Sequence, residues 1–135
     1  MGNNAQSRGP ELKRGEIWWA DLGAYRPREQ TGRRPVVIWQ SDTLTRALQS
    51  VLVVPLTTNL DRARLAGTAM IEAGENGLSQ TSVALAFQMR AVPKVCLLDR
   101  IRNLTENELG ELELATDEAL GRVEPEAHGV TSDDV

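Results

Sequence analysis

Short apolar runs separated by turn-forming residues dominate the first hundred positions of the chain. The runs are rich in β-branched and aromatic side chains, which is typical of β-strands. The predicted strands are residues 16–21, 36–39, 51–54, 68–71 and 82–87; residues 89–92 continue the fifth strand or begin a neighbour, and residues 97–101 are a last candidate. Pro55 is expected to end the third strand. The nearly continuous apolar run at 36–39 predicts burial on both of its faces.

Two helices are predicted from the residues that cap them. Ser41 can cap a short helix that runs through Leu48. The second helix has a capping box, with a hydroxyl at Thr105 and a carboxylate three residues later at Glu108, and Gly121 provides its C-terminal stop. About six short strands with one or two helices predict an α+β, mostly β domain, built as a small bent sheet or a small barrel.

The length of 135 residues fits one domain. Residues 1–13 are expected to be a flexible leader, residues 14–121 the folded domain and residues 122–135 a disordered acidic tail. No apolar run approaches the ~20 residues of a membrane span. The polar N-terminus has no export signal, so the expected location is the cytoplasm and no membrane partner is expected.

Charge is divided unevenly along the chain. The net charge of −4 combines +5 over residues 1–102 with −9 over residues 103–135. A basic body is compatible with nucleic-acid binding in spite of the pI near 5.0. With a single cysteine, Cys96, and a single histidine, His128, the chain has no cysteine–histidine cluster, so no metal or cofactor is expected. Cys96 is expected to be a small buried residue.

A loop rich in arginine lies between the first two predicted strands, from Gly23 to Arg34. Guanidinium groups match the oxygens of a phosphate in pairs, although a solvated charged loop is an equally good interpretation of this segment alone. The candidate functional side chains of the loop are Tyr25, Arg26, Arg28, Glu29, Gln30, Arg33 and Arg34.

Two further polar segments lie where predicted strands meet loops. One is Thr57-Thr58-Asn59, followed by a loop with Arg62 and Arg64, and simple turn chemistry is its competing interpretation. The other is Gln88-Met89-Arg90, which says little by itself. If the three segments converge, the site combines arginine, glutamate, threonine and glutamine. Such a set suits a phosphodiester that develops negative charge, and does not suit metal-assisted hydrolysis.

Four segments, in order, resemble the MazF/PemK-type toxins. Residues 13–22, KRGEIWWADL, look like the opening strand of that family, and residues 29–38, EQTGRRPVVI, resemble its E-Q-x-G-x-R-P-V-V-V signature. Residues 53–59, VVPLTTN, resemble its V-P-L-T-T/S segment. Residues 82–92, SVALAFQMRAV, resemble its D-S-V-x-x-x-x-Q-I-R-T/A-V strand. Each motif is short, but four in register, spanning about residues 13 to 120, make the resemblance specific.

The resemblance implies a homodimer with a bent antiparallel sheet like an SH3 barrel, short helices and a C-terminal helix. It implies the toxin of a type II toxin–antitoxin system, which cuts single-stranded RNA, often mRNA, at short sequences and is blocked by a MazE-like antitoxin. The family's catalytic arginine falls on Arg34 and its catalytic threonine on Thr57. Glu29 is a candidate proton acceptor. The candidates for RNA contact are Arg26, Arg28, Gln30, Arg33, Thr58, Asn59, Arg62, Arg64 and Gln88.

The expected reaction is attack of the RNA 2′-hydroxyl on the adjacent phosphorus, which gives a 2′,3′-cyclic phosphate and a 5′-hydroxyl without a metal. Arg28 stands where relatives often carry serine, so the recognised RNA sequence is left open. A CcdB-like gyrase poison, which binds its target and catalyses nothing, is the main alternative on the same fold. The tail at 130–135, VTSDDV, lacks the Trp-Gly-Ile ending of such poisons. A catalytically inactive SH3-like interaction module is the second alternative.

Overall fold

The computed structural model describes residues 11–23, 32–75 and 77–125. Within them, seven strands and two α-helices follow one another along the chain. The strands are β1 (Glu16–Asp21), β2 (Arg33–Ile38), β3 (Ser50–Thr57), β4 (Thr68–Ile71), β5 (Ser82–Leu85), β6 (Arg90–Pro93) and β7 (Leu97–Asn103). The helices are α1 (Asp42–Ala47) and α2 (Glu106–Ala119), and short 3-10 turns span Leu60–Arg64, Ala86–Gln88 and Lys94–Cys96.

Strand β3 lies at the centre of an antiparallel sheet ordered β4-β5-β3-β2-β1-β7. One edge of β3 pairs with β2. Its other edge is shared, because Ser50 to Val53 pair with β6 whereas Leu56 and Thr57 pair with β5. In the described part of the chain β4 and β7 end the sheet, so the sheet is open and does not close into a barrel. The predicted α+β, mostly β fold with a C-terminal helix is confirmed.

The central strands are buried on both faces, as predicted for residues 36–39. Successive residues of a strand point to opposite faces. Val37 therefore joins the core beneath α2, together with Leu112 of that helix. Val36 and Ile38 join a second core on the other face, which also holds Cys96. Cys96 is 6% exposed, which confirms the expected burial.

The C-terminal helix α2 begins with the predicted capping box. The Thr105 hydroxyl accepts the Glu108 N–H at 3.1 Å, and the Glu108 carboxylate accepts the Thr105 N–H at 3.0 Å. The same buried carboxylate accepts hydrogen bonds from the Arg102 guanidinium and from the Glu72 N–H. It thereby ties the start of α2 to β7 and to the end of β4. Gly121, at φ +76°, follows the helix as predicted.

Four predicted strands have wrong bounds. Strand β2 begins at Arg33 and ends at Ile38, so Arg33 and Arg34 belong to the strand and not to the loop before it. Strand β3 continues through Pro55 to Thr57, because Pro55 lies between the segments of that edge that pair with β6 and β5, where no N–H is needed. Strand β5 ends at Leu85 and is followed by a 3-10 turn, so residues 90–93 form a separate strand against β3. Strand β7 extends to Asn103.

Residues 1–10 and 126–135, which make up most of the predicted leader and tail, lie outside the described residues. The division of the chain into leader, domain and tail stays a prediction. In the ranges that are described, no helix is long and apolar enough to cross a bilayer.

Candidate active site

The side chains of Arg34 and Thr57 project from the same face of the sheet, from the adjacent strands β2 and β3. The register of β2 and β3 pairs Val36 with Pro55 and Val37 with Val54. Continuing this antiparallel register by two residues sets Arg34 opposite Thr57. Because side chains alternate along a strand, Arg34 shares the face of Val36, and Thr57 shares the face of Pro55. Both residues therefore lie where the second core ends and polar residues begin.

A cavity of about 490 Å³ opens at this place. Its described lining residues are Leu22, Gly23, Gly32, Arg34, Pro55, Leu56, Thr57, Arg62, Leu85, Gln88 and Arg90. Gly23 and Gly32, the described residues on either side of positions 24–31, both line the cavity. The candidate residues Arg26, Arg28, Glu29 and Gln30 lie outside the described residues.

The described lining of the cavity is strongly cationic. It contains the three arginines Arg34, Arg62 and Arg90, and neither aspartate nor glutamate. No hydrogen bond or ion pair engages the side chains of Arg34 and Arg62 within the described ranges. Guanidinium groups that converge on a partly enclosed cavity favour an anion, and a phosphate matches their geometry best.

The Thr57 hydroxyl is held in one orientation by the turn that follows it. Its oxygen accepts the Asn59 N–H at 3.1 Å. A hydroxyl has one hydrogen and two acceptor positions, so this bond leaves the Thr57 proton available for donation into the cavity. The Asn59 side chain in turn accepts the Asp61 N–H at 3.1 Å and caps the 3-10 turn that carries Arg62. Asn59 thus orders the loop around the hydroxyl.

The structure brings together some of the predicted residues and separates others. Arg34, Thr57, Arg62 and Gln88 line one cavity. The exposed residues Arg33, Thr58, Asn59 and Arg64 are not part of its lining. Arg33 pairs in register with Asp21 and, one residue from Arg34, points to the opposite face of the sheet.

Arg90 lines the cavity although it was not among the predicted site residues. Its position was visible in the sequence only as the end of Gln88-Met89-Arg90. The usable signal was its spacing of two residues from the apolar Val92, which puts both on one face of a strand. The sequence does not show which face of this strand meets the cavity, because that depends on the pairing of β6 with β3.

Cys96 lies near this end of the second core but has the properties of a packing residue. Burial raises the pKa of its thiol, the charge of Asp21 raises it further, and the charge of Arg90 opposes both. A thiol with a raised pKa is a poor nucleophile at neutral pH. Within the described ranges, no group of three or more histidine, cysteine, aspartate or glutamate side chains could hold a metal ion.

Comparison with known proteins gives one consistent family. The family model described as "PemK-like, MazF-like toxin of type II toxin-antitoxin system" matches residues 13–120. Endoribonuclease MazF of Staphylococcus epidermidis is 34% identical over 110 residues, which are 82% of this chain and 92% of that protein. Endoribonuclease EndoA of Bacillus subtilis is 30% identical over 113 residues, covering 84% of this chain and 97% of that protein.

Solved structures show the same fold. An endoribonuclease in complex with its cognate antitoxin, from a mycobacterial species, superimposes with a TM-score of 0.68 at 23% identity, covering 87% of this chain and all of that one. The Mycobacterium tuberculosis toxin MazF-mt6 superimposes with a TM-score of 0.65 at 27% identity, covering 78% of this chain and 96% of that one. Since the family model spans nearly all of the described residues, the chain belongs to the PemK-like, MazF-like toxins of type II toxin–antitoxin systems.

Proposed function

We propose that this chain is a metal-independent endoribonuclease that cuts single-stranded RNA, with mRNA as its target, at a short recognition sequence. One observation carries the proposal: the guanidinium-bearing Arg34 and the hydroxyl of Thr57 lie on one face of adjacent strands and line one cationic cavity. The curated relatives that match most of the chain are endoribonucleases, which supports the same reading. The cavity is the proposed place of the scissile phosphate.

The proposed reaction needs no external nucleophile. The RNA 2′-hydroxyl attacks the adjacent phosphorus and the bond from phosphorus to the 5′ oxygen breaks. The leaving 5′ oxygen takes up a proton from water, so the products are a 2′,3′-cyclic phosphate and a 5′-hydroxyl. Glu29, which lies outside the described residues, is the proposed acceptor of the 2′-hydroxyl proton. Arg34 stabilises the charge that builds up on the phosphorane oxygens. It does not act as a base, because a guanidinium stays protonated at any relevant pH.

Thr57 is proposed to donate its hydroxyl proton to a non-bridging oxygen of the same phosphate. The donation fixes the phosphate so that the 2′ oxygen and the leaving 5′ oxygen are in line. DNA lacks the 2′-hydroxyl and is expected to bind without being cut.

Thr57→Val should lower the rate of RNA cleavage at saturating enzyme by about 10- to 100-fold, because a hydrogen bond to a charged group contributes roughly 1.5–3 kcal/mol. Valine keeps the shape of threonine without the hydroxyl. Thr57→Ser is the matched control, since serine keeps both the donor and the bond from the Asn59 N–H, and it should retain most of the rate. Single-turnover cleavage of an end-labelled oligonucleotide measures both. Equal rates for the valine variant and the parent protein would exclude the proposed donor.

Several further residues are proposed to contact the RNA. Arg62 and Gln88 do so inside the cavity, which both of them line. The exposed Arg33, Thr58, Asn59 and Arg64 are proposed contacts outside it. Arg26, Arg28 and Gln30 complete the set from the segment between Gly23 and Gly32. Contacts of arginine with phosphate make binding weaken as the salt concentration rises.

The proposed assembly follows the family. Solved relatives carry a cognate antitoxin, as in the mycobacterial complex and in the MazE–MazF complexes of Deinococcus radiodurans. We propose that this chain acts as a homodimer in the cytoplasm and is held inactive by a MazE-like antitoxin that covers the RNA-binding groove.

Incubation of the purified protein with labelled single-stranded RNA in EDTA tests the proposal. The expected result is cleavage at a few positions, with fragments that end in a cyclic phosphate and begin with a 5′-hydroxyl. Intact RNA together with inhibition of DNA supercoiling would overturn it in favour of the CcdB-like gyrase poison. Intact RNA without any effect on gyrase would favour an inactive interaction module. Sequencing RNA 5′ ends after brief induction in cells would then read the recognition sequence.

A further inference from the structure

Arg90 lies in the same cavity as Arg34 and Thr57, on the far side of the central strand. It begins β6, where it pairs in register with Val53 of β3. Val92, two residues later on the same face, is 3% exposed in the second core. The Arg90 backbone is therefore held by the sheet and not by a loop, and its side chain enters the cavity from a fixed position.

Arg90 borders the second core on one side and the cavity on the other. Along its face of the sheet its neighbours are the fully buried Val53 and the nearly buried Val92. The charge of Arg90 reaches into the second core, because it lowers the pKa of the Cys96 thiol against the opposing effects of burial and of Asp21. The half-buried Arg90 also lines a cavity whose described lining holds three arginines and no carboxylate, which favours an anionic ligand there.

The register separates Arg90 from the proposed cleavage point. Its partner Val53 lies four residues before Thr57 on β3, which is about 13 Å along an extended strand. Arg34 lies on the opposite edge of β3, so the two arginine Cα atoms are roughly 16 Å apart if the sheet is taken as flat. The two side chains therefore enter the cavity from opposite edges of β3, an arrangement that allows each guanidinium to hold its own phosphate of one strand.

We infer that Arg90 binds a second phosphate of the RNA, next along the strand from the one that is cut, and so fixes the direction in which the strand crosses the cavity. The inference rests on the proposed function. It makes Arg90 a substrate-binding residue whose loss weakens the complex, and it leaves the charge stabilisation at the cut phosphate to Arg34.

The test is binding and cleavage by the full chain carrying Arg90→Met, which keeps the length of the side chain without the guanidinium. The binding probe is an RNA of the recognised sequence with one 2′-deoxy nucleotide at the cut, so that it binds without reacting. We expect the Kd to rise about 10- to 100-fold. The slope of log binding constant against log salt should shrink by about 0.7, the value for one phosphate contact on a single strand. Cleavage at saturating enzyme should change little.

Two variants make the result specific. Arg90→Lys keeps the positive charge but cannot form a bidentate hydrogen bond to phosphate. Compared with Arg90→Met, it should therefore recover the parental salt slope and part of the affinity. Arg46→Met removes an exposed arginine of α1 that is not part of the cavity lining, and it should leave both measurements unchanged. A melting curve of each variant identifies any that fails to fold, and the lysine variant then carries the comparison.

Parental affinity and an unchanged salt slope for Arg90→Met would overturn the inference. So would a loss confined to the saturated rate, which would move Arg90 to the cut phosphate. A changed base preference with an unchanged salt slope would also overturn it, since Arg90 would then read a base. If the parent protein cuts no RNA, the proposed function fails, and the salt slope measured with a mixed-sequence single-stranded RNA oligonucleotide still decides whether Arg90 contacts a phosphate.

Discussion

Arg34→Ala should lower the rate of RNA cleavage at saturating enzyme by at least two to three orders of magnitude, the effect of removing one donor that stabilises transition-state charge. The expected loss is larger than for Thr57, because a guanidinium carries a positive charge that stabilises the phosphorane and its geometry allows it to donate to two oxygens at once. Arg34 is exposed at the start of β2, and no described residue forms a hydrogen bond or ion pair with its side chain. The fold should therefore be unaffected, which a melting curve checks.

Two comparisons separate charge stabilisation from general loss of binding. Arg34→Lys keeps a point charge and should recover only part of the rate, because an ammonium group does not match two phosphate oxygens at once. Arg46→Ala removes an arginine outside the cavity and should cut RNA at the parental rate. Cleavage by Arg34→Ala at the parental rate would refute the role given to this residue.

Arg33 and Arg34 differ in the face of the sheet to which their side chains point, because side-chain direction alternates along a strand. The sequence places two arginines side by side, and composition cannot choose between them. The apolar run from Val36 shows which positions share a face, and Arg34 shares that of Val36, whereas Arg33 does not. The resemblance to the family independently points to Arg34, because the family's catalytic arginine falls on this residue. The family itself is confirmed by the match over residues 13–120, and the catalytic role of Arg34 stays a prediction.

The strands and caps were predictable because their causes are local. β-Branched runs, the hydroxyl of Thr105 with the carboxylate of Glu108, and the glycine after α2 each act within a few residues. What escaped prediction depends on pairing between distant segments. The continuation of β3 through Pro55 requires the gap between β5 and β6 on its edge, and that gap cannot be read from the residues around Pro55.

The candidate site shows the same limit. Thr57, Arg62 and Gln88 lie in different segments, and the sequence could only suggest that strand ends converge. Thr58 and Asn59 follow Thr57 directly, yet the turn directs only Thr57 into the cavity while Asn59 caps the next turn. Arg90 enters the cavity through the pairing of β6 with β3. Polar composition therefore pointed to segments that contribute to the cavity lining, and the register of the sheet decides which of their described residues reach it.

Glu108→Gln should destabilise the protein by about 3 kcal/mol at pH 7, which corresponds to a fall in Tm of roughly 10 °C for a chain of this size. The Glu108 carboxylate forms an ion pair with Arg102 at 2.8 Å, in which the two side chains are only 5% and 22% exposed. Removing one partner of such a pair leaves the other charge partly buried and uncompensated. The same carboxylate joins α2 to the end of β4 through the Glu72 N–H. Its loss therefore weakens the attachment of α2 to the core beneath it, which contains Val37 and Leu112.

The effect should depend on pH in a definite direction. Burial by itself raises the pKa of Glu108, but hydrogen bonds from Arg102 and from the N–H groups of Thr105 and Glu72 outweigh it, so the pKa lies below its ordinary value of 4.5. A carboxylate whose pKa is lower in the folded state contributes stability that is fully present above the unfolded-state pKa. That contribution is lost as the pH falls through the folded-state pKa. The difference in Tm between the parent protein and Glu108→Gln should therefore be constant near neutral pH and shrink below about pH 4.5.

Glu113→Gln is the matched control on the same helix. Glu113 meets Arg14 at 3.5 Å with 52% of its side chain exposed, and exposed ion pairs contribute about 0–1 kcal/mol. Its loss should shift the Tm slightly and without the pH dependence seen for Glu108. Thermal unfolding followed by circular dichroism between pH 3 and pH 8 compares the three proteins. A Tm difference for Glu108→Gln that stays the same across this range would show that the ionised carboxylate does not hold α2 in place.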